Sequence, residues 1–246
     1  MRQMRPSWFV VIALAGCAEA GKQQFVGHGD GGMIAVADSS IPIPDAFVSH
    51  IDAPPGEQTK TLDENSSDTI KLATSLACAN QTTGNTDASS YYRVFDPATF
   101  GITTDFHVTQ IGFQVEDCES DSGGQVVTAK VGTYNGTPGN TITTNNMAVL
   151  ATNAQVQVPE IDLVGGSVNA PITATIPAGK KVFIEIDSPD GAADNADFYM
   201  GVNTAAETGF GYIAASGCMI STPTNISSAA VAGTQISLLM TVTGTY

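Results

Sequence analysis

Long hydrophobic runs and basic residues are both scarce in this sequence. After the N-terminal segment, no apolar stretch approaches the roughly 18 residues that a transmembrane helix requires. Nine Lys and Arg stand against 24 Asp and Glu, which gives a net charge of −15. Nucleic acids and anionic lipid surfaces are bound through basic patches. The composition therefore argues against a nucleic-acid partner and agrees with simple solubility.

Motifs of familiar enzyme classes are missing as well. There is no G-x-S-x-G and no H-E-x-x-H sequence, so the chain encodes neither a serine-hydrolase elbow nor a zinc-protease helix. His107 is the single histidine after residue 68. It lies in a predicted strand between Phe106 and Val108, with its side chain on the opposite face, toward solvent. The sequence therefore predicts no catalytic residue.

The N-terminus carries the most specific pattern in the chain. Arg2 and Arg5 precede an apolar stretch at residues 8–15, which is too short to span a bilayer and typical of a secretory signal. The stretch ends at Leu14-Ala15-Gly16-Cys17, which resembles a bacterial lipobox. The resemblance implies that residues 1–16 are a signal peptide and that the thiol of Cys17 is acylated. The alternative is an ordinary signal peptide followed by a chance cysteine.

The residue after the lipobox bears on the destination. Lipobox proteins that stay in the inner membrane usually have Asp at this position, so Ala18 implies the outer membrane. One acyl chain binds a membrane only marginally, whereas two or more hold stably. The resemblance implies two or three chains on Cys17. We therefore expect the membrane to be a partner through the N-terminal lipid.

Residues 17–68 are interpreted as a lipid-anchored flexible tether. They include Gly29-Asp30-Gly31-Gly32, Ile41-Pro42-Ile43-Pro44 and Pro54-Pro55-Gly56. Proline lacks a backbone donor and glycine loses more entropy on folding, so such a segment packs poorly. The sequence predicts that the folded domain covers residues 69–246.

The residue types of 69–246 and their spacing are typical of β-structure. Short runs of Val, Ile, Thr, Phe and Tyr are broken by Gly, Asn, Asp and Pro. Apolar residues recur with period 2, and a slip of phase near Thr109-Gln110 predicts a β-bulge. The sequence predicts an all-β, two-sheet antiparallel sandwich, jelly-roll-like. The predicted strands are 70–78, 91–95, 106–116, 125–134, 145–150, 154–162, 168–176, 182–187, 197–203, 210–215 and 236–243.

Several segments of this region resemble a β-sandwich module found in exported proteins of environmental bacteria, often beside secreted peptidases or on lipoproteins. The similarity covers most of residues 70–246. It implies the fold and the export, and it implies no particular chemistry. The similar segments are Ser90-Tyr91-Tyr92-Arg93-Val94-Phe95-Asp96, Phe106-His107-Val108-Thr109, Ile176-Pro177-Ala178-Gly179, residues 184–191, Phe198-Tyr199-Met200-Gly201 and Thr241-Val242-Thr243-Gly244.

Three cysteines remain if Cys17 is acylated. In an oxidising exported setting, Cys78, Cys118 and Cys218 predict one disulfide and one leftover thiol. Members of the exported module carry cysteines near Cys78 and Cys218 but usually not near Cys118, so the resemblance implies that Cys78 pairs with Cys218. Early and late strands of jelly-roll-like sandwiches often lie side by side, which agrees with this pairing and places Cys118 on a hairpin.

Two acidic loops suggest calcium. Asp187, Asp190, Asp194 and Asp197 fall in one turn-rich run, and residues 116–121 form a second acidic run. Calcium takes six to eight oxygen ligands from carboxylates and loop carbonyls. Neither run has EF-hand spacing, and the alternative is a pair of solvated loops in an acidic protein. We expect no obligatory cofactor, with Ca²⁺ bound by these four aspartates as a hypothesis.

The function favoured by these patterns is a non-enzymatic display or binding module, anchored in the outer membrane, with a glycan or a protein as its ligand. The alternative is a glycoside- or metal-dependent hydrolase that uses carboxylates of the acidic loops. Glu160 with Asp162, and Glu185 with Asp187, each place two acids on one strand face. Trp8 is the only tryptophan, so a sugar-stacking surface would have to use tyrosines. The candidates are Tyr91, Tyr92, Tyr134, Tyr199 and Tyr212.

Overall fold

The structure is a computed structural model that describes residues 56–80, 84–228 and 231–246. The predicted signal peptide, Cys17 and most of the predicted tether lie outside the described residues. Within them, helix is limited to short 3-10 turns, so no described helix is long and apolar enough to cross a membrane. The turns are Pro97–Phe100, Thr144–Asn146, Gly191–Ala193 and Ser216–Cys218.

Thirteen strands make up the rest of the regular structure. They are β1 (Thr59–Leu62), β2 (Ser89–Phe95), β3 (Phe106–Glu119), β4 (Gln125–Tyr134), β5 (Met147–Val158), β6 (Gly166–Ile176), β7 (Lys181–Ser188), β8 (Asp197–Met200), β9 (Val202–Asn203), β10 (Gly211–Ala215), β11 (Ile220–Asn225), β12 (Ser237–Leu238) and β13 (Met240–Thr245).

The strands form two antiparallel sheets and a small ladder. The five-stranded sheet has the order β1-β13-β3-β6, with β8 pairing the far end of β3. The six-stranded sheet has the order β11-β10-β2-β7-β4-β5, and β12 pairs β9. The structure confirms the all-β, two-sheet antiparallel sandwich.

Period-2 alternation explains why both sheets bury one face. In β6, Val168, Ala170 and Ile172 are buried while the residues between them are exposed. Val182 and Ile184 of β7, in the other sheet, are buried in the same core. Buried apolar area is the main stabilising contribution, at about 25 cal/mol per Å². The main core therefore lies between the two sheets.

A second apolar cluster covers part of the outer face of the six-stranded sheet. Ile142 stands in the long β4–β5 connection and is fully buried there. Its backbone N–H donates to the carbonyl of Pro223 at 3.1 Å, so the connection is folded onto the sheet. The outer face of the five-stranded sheet carries polar residues instead, which leaves it the more open of the two. The second cluster comprises Tyr92, Val94, Tyr134, Ile142, Phe183 and Tyr212.

The predicted tether boundary is corrected by β1. Residues 59–62 were assigned to the tether, yet Thr59 pairs with Thr245 and Leu62 with Val242 at the edge of the five-stranded sheet. Leu62 is fully buried. The folded region therefore begins before residue 69, because a four-residue strand gains its stability from a partner at the other end of the chain.

The predicted strand at 70–78 is wrong. This segment makes only isolated bridges, such as Leu76 to Met200, and Ala73 has a positive φ of 58°. By contrast, the bulge predicted near Thr109-Gln110 is confirmed, because the β3–β6 register shifts between Val108 and Gln110.

Two predicted strands are each divided in two. Residues 197–203 form β8 and β9, separated at Gly201, and residues 236–243 fall in β12 and β13, separated at Leu239.

Other strand assignments also differ from the prediction. The separate strands predicted at 145–150 and 154–162 are one continuous strand, β5. The strand β11 was not predicted, since Pro223 interrupts a short run of polar residues and proline is tolerated mainly at sheet edges. β11 is such an edge strand, next to β10.

Candidate functional site

The outer face of the five-stranded sheet carries a polar groove with a volume of about 340 Å³. Small-molecule sites typically occupy about 300–1,000 Å³. Phe113, Val168 and Leu239 are its apolar lining residues and are largely buried, and most of the other lining groups are amide, hydroxyl or carboxyl. The polar lining residues are Thr61, Asp63, Asn65, Asp68, Gln114, Ser167, Asn169 and Thr241.

Hydrogen bonds between strands order the floor of the groove. The hydroxyl of Ser167 donates to Gln114 Oε1 at 2.9 Å, and Gln110 Nε2 donates to Asn169 Oδ1 at 2.9 Å. Gly112 lies between them, and a Cβ there would stand 2.6 Å from the hydroxyl oxygen of Thr241. The floor is therefore flat at Gly112 and presents oriented amides on either side.

One wall of the groove is formed by residues 63–71, which follow β1 and are called the arm below. Asp63, Asn65 and Asp68 of the arm line the groove. The arm runs beside residues 202–208 and is bonded to them at several points, so it is a docked segment rather than part of a sheet. These bonds are Thr208 N to Glu64 O at 2.8 Å, Ser66 N to Ala206 O at 3.0 Å, Lys71 N to Val202 O at 2.9 Å and Asn203 Nδ2 to Ser67 O at 2.6 Å.

A buried arginine anchors the arm from below. Arg93 of β2 is 0% exposed and forms ion pairs with Glu64 at 3.3 Å and Glu207 at 2.7 Å. It also donates to Asn65 Oδ1 at 3.1 Å and to the carbonyl of Leu238 at 2.7 Å. Buried charges persist only when they are paired and hydrogen-bonded. Arg93 thus joins the arm, the 204–210 loop and β12 at one end of the sandwich.

Burial shifts the carboxyl groups around Arg93. It raises the pKa of Glu64 to about 7, outweighing the attraction of Arg93, and the nearby Glu207 adds to the rise. Burial likewise raises the pKa of Glu207 against the pull of Arg93. Two carboxyls therefore share one guanidinium in a low-dielectric site, where a second negative charge is costly.

Two carboxyls of the arm, Asp63 and Asp68, line the groove. A hydrogen bond with Asp63 is the main cause that raises the pKa of Asp68, and burial adds to the rise. Asp63 Oδ1 also accepts from the backbone N–H of Asn65 at 2.8 Å. This turn holds the carboxyl of Asp63 in a fixed position at the groove wall.

The four aspartates predicted to bind calcium each have a different environment. Asp187 pairs with Lys130 at 2.5 Å, and Asp190 accepts from the backbone N–H of Ala192 at 2.8 Å as the cap of a 3-10 turn. Asp194 accepts from the hydroxyl of Ser122. Asp197 begins β8, and its backbone lies opposite Glu119 in the β3–β8 ladder. The structure therefore does not gather them into one site.

The two predicted acidic loops nevertheless meet. Asn195 Nδ2 donates to Asp121 Oδ2 at 2.7 Å, and the backbone N–H of Asp121 donates to the carbonyl of Asp194 at 3.0 Å. In residues 56–80, 84–228 and 231–246, no group of three or more His, Cys, Asp or Glu is arranged to hold a metal ion. The loops support each other through amides and backbone groups.

Like charges accumulate where these loops join the sheet. Burial raises the pKa of Asp117 to about 6, and the negative charges of Glu119, Asp197 and Asp162 raise it further. Burial also raises the pKa of Asp197, with Glu119 as the second cause. This end of β3 and β8 is therefore an acidic surface that is less charged below neutral pH.

The disulfide prediction is confirmed. Cys78 and Cys218 are bonded, with a Cα–Cα distance of 5.8 Å, and early and late strands do lie side by side, as β1 with β13 and β2 with β10. Of the three cysteines that the structure describes, Cys118 is the free thiol. It lies within β3 rather than on a hairpin and is 0% exposed. Burial raises the pKa of its thiol to about 12, so it is unreactive near neutral pH.

The other candidate residues from the sequence lie outside the groove. His107 is exposed, and its Nδ1 lies 3.1 Å from the hydroxyl of Thr175, outside the groove. Most of the tyrosines considered as sugar-stacking residues are buried, and Tyr199 is only partly exposed. The pair Glu160 and Asp162 is exposed in the loop before β6. The buried tyrosines are Tyr91, Tyr92, Tyr134 and Tyr212.

Sequence reasoning missed the groove because it assigned residues 63–68, most of the arm, to the tether. The solvent-exposed face of β3 and β6 was predictable from the polar residues that alternate with apolar ones. Arg93 was also visible as the single charge in the strand Ser89–Phe95, which signals a buried partner. Its partners Glu64 and Glu207 are 29 and 114 residues away, and only the fold brings them together.

The chain matches no protein-family model and no curated protein sequence. Among solved structures, it is similar to the cysteine protease and lectin-like domains of Cwp84, a surface-layer-associated protein of Clostridium difficile. The identity is 14% and the TM-score 0.42, over 65% of this chain and 32% of that one. A clostridial Cwp84 variant after propeptide cleavage gives 14% and 0.45, over 76% and 40%. The chain thus spans about a third to two fifths of these proteins, and the similarity is too low to transfer a function.

Proposed function

We propose that this protein is an exported, lipid-anchored binding module of the outer membrane that recognises a glycan in the groove between the arm and the five-stranded sheet. The groove is the observation that carries the binding role. Its lining places amide, hydroxyl and carboxyl groups around a volume of about 340 Å³. Sugar hydroxyls both donate and accept hydrogen bonds, and such side chains can bind them in pairs.

The strongly acidic composition favours a neutral ligand over an anionic one. The net charge is −15, and the groove itself contains Asp63 and Asp68 without a lysine or arginine in its lining. An anionic ligand would therefore meet like charges, whereas a hydroxyl-rich sugar would meet hydrogen-bond acceptors.

The groove carboxyls are engaged in local structure. Asp63 Oδ1 accepts from the backbone N–H of Asn65 at 2.8 Å and from its side-chain amide at 3.0 Å. Glycosidases instead need one carboxyl to protonate the leaving group and a second, at a set distance, to act as nucleophile or base. We therefore prefer a binding module to the carboxylate hydrolase.

The anchor is tested by one substitution. Cys17→Ser should abolish fatty-acid labelling and release the full chain from the membrane fraction, because the thiol at the lipobox is removed. Cys118→Ala is the matched control and should leave fractionation unchanged, since Cys118 is buried in the core. Retention of Cys17→Ser in the membrane at high salt would contradict the lipoprotein assignment.

The groove is tested by a glycan and peptidoglycan binding screen with the full chain. Gln114→Ala or Asn169→Ala should weaken binding about tenfold, the effect of losing one or two hydrogen bonds. Gln155→Ala is the control, because Gln155 is exposed on β5 of the other sheet. Repeating the screen with calcium and with EDTA tests the calcium hypothesis. Binding that is lost equally in the Gln155 variant would contradict the groove as the site.

A further inference from the structure

The arm has two roles in the fold. On its outer side Asp63, Asn65 and Asp68 form one wall of the groove. On its inner side Glu64 closes over Arg93, whose side chain is completely buried. Any change that loosens the contact with Arg93 therefore also moves the wall of the groove.

The charges at this contact do not balance at high pH. Arg93 carries one positive charge at every physiological pH. The titratable groups that face Glu64 are Arg93 from β2, Glu207 from the 204–210 loop, Asp63 from the arm itself and Tyr212 from β10. One ionised carboxylate neutralises Arg93, and a second leaves a net negative charge in a buried site. Glu207 Oε1 is also buried without a hydrogen-bond partner among the described residues.

We infer that Arg93, Glu64 and Glu207 form a pH-sensitive latch that positions the arm, holding the groove wall firmly in mildly acidic solution and loosening it above neutral pH. The latch itself depends only on this geometry. Its consequence for ligand binding rests on the proposed function of the groove. The three residues are positioning residues, since none of them lines the groove.

The direction in which docking of the arm changes with pH follows from proton linkage. Burial raises the pKa of Glu64 from 4.5 to about 7 when the arm is docked. The docked arm therefore binds a proton that the undocked arm releases between these two values. Docking is favoured most below about pH 4.5 and loses this contribution as the pH rises through about 7. For a single site with these values, the docking equilibrium falls about 70-fold between pH 5 and pH 8. The raised pKa of Glu207 acts in the same direction.

Hydrogen exchange measures the latch directly. In the full chain without any ligand, the backbone amides of Ser66 and Lys71 donate to the 202–208 segment, so their protection reports docking of the arm. After correction for the intrinsic pH dependence of exchange, their protection should fall about 70-fold from pH 5 to pH 8. Unchanged protection over this range overturns the inference.

Two variants assign the effect to the latch. Glu64→Gln should remove most of the pH dependence, because an amide still accepts from Arg93 and does not titrate. Glu207→Gln leaves one carboxylate for Arg93 and should raise the protection of the arm amides at pH 8. This variant tests the latch even if Glu64→Gln folds poorly. Glu185→Gln is the matched control: burial raises the pKa of Glu185 to about 7 as well, but Glu185 lies on β7 of the six-stranded sheet.

The outcomes separate the latch from the proposed function. Wild-type pH dependence that persists in both Glu64→Gln and Glu207→Gln overturns the latch, as does its loss in Glu185→Gln. Arm protection that follows the prediction supports the latch even if no glycan binds, in which case only the proposed function fails. If a glycan does bind, its affinity should fall between pH 5 and pH 8 in the wild type and stay nearly constant in Glu64→Gln.

Discussion

The N-terminal segment 57–80 and the centre of the six-stranded sheet are held by different kinds of interaction. In the centre, β2, β7 and β4 are paired along their lengths, and their inward side chains fill the main core. The N-terminal segment has only β1 in a sheet, and the rest is attached by the arm contacts, Arg93 and the disulfide at Cys78. A ladder distributes stability over many bonds, whereas the attached segment depends on a few side chains.

Two ion clusters among the described residues show this difference most clearly. Arg93 faces Glu64 and Glu207, and Lys130 faces Glu185 and Asp187, so each cation has two carboxylates. Arg93 is fully buried and joins separate segments. Lys130 is 28% exposed and joins neighbouring strands that their backbones already hold together. The same charge pattern therefore holds separate segments together at Arg93, whereas at Lys130 it contributes little to stability.

The largest expected effect is loss of the disulfide. Cys78→Ala with Cys218→Ala removes a link across a sequence separation of 140, which the chain-entropy model values at about 5 kcal/mol as an upper bound. Denaturant unfolding should show most of this loss, together with early proteolysis within the N-terminal segment. Cys118→Ala should cost about 1 kcal/mol, since it removes one small buried side chain. Equal losses in the two variants would mean that the segment does not depend on the disulfide.

The next effect compares the two cations. Arg93→Met leaves two buried carboxyls without a partner and should lower the free energy of unfolding at pH 7 by about 3–5 kcal/mol. Lys130→Met should lower it by about 1 kcal/mol or less, because its cluster is partly solvated. Urea titration of both variants measures the ratio. Similar losses would contradict the distinction between the attached segment and the strand ladders.

The smallest effect is the pH dependence of the whole molecule. Burial raises the pKa of Glu64 and of Glu185 to about 7 and that of Asp117 to about 6. Carboxyls with a raised pKa in the folded state stabilise it below their unfolded pKa and lose this contribution as the pH rises. The melting temperature should therefore fall by at least about 5 °C between pH 5 and pH 8, the shift that corresponds to the linkage of Glu64 alone. Glu185→Gln should reduce this fall without changing arm exchange, and a melting temperature that rises over this range would contradict the assignment.

Much of the fold was predictable because it follows from local alternation. The pattern of Val182, Ile184 and Ile186 predicts β7, and the slip at Thr109-Gln110 predicts the bulge in β3. The run 70–78 shows the limit of this reasoning, since its residue types favour a strand but its backbone finds no continuous partner. The signal peptide, the anchor at Cys17 and the outer-membrane location remain predictions that rest on the N-terminal sequence.

The sequence by itself determined the alternation of buried and exposed residues, and with it the all-β class and the polar face that became the floor of the groove. Only the tertiary structure decided that residues 63–68, predicted to belong to the tether, dock beside the 202–208 segment and form the groove wall. The physical reason is the burial of Arg93. A guanidinium sealed in the interior needs carboxylates, and the closure of the sandwich brought it Glu64 and Glu207 from distant parts of the chain.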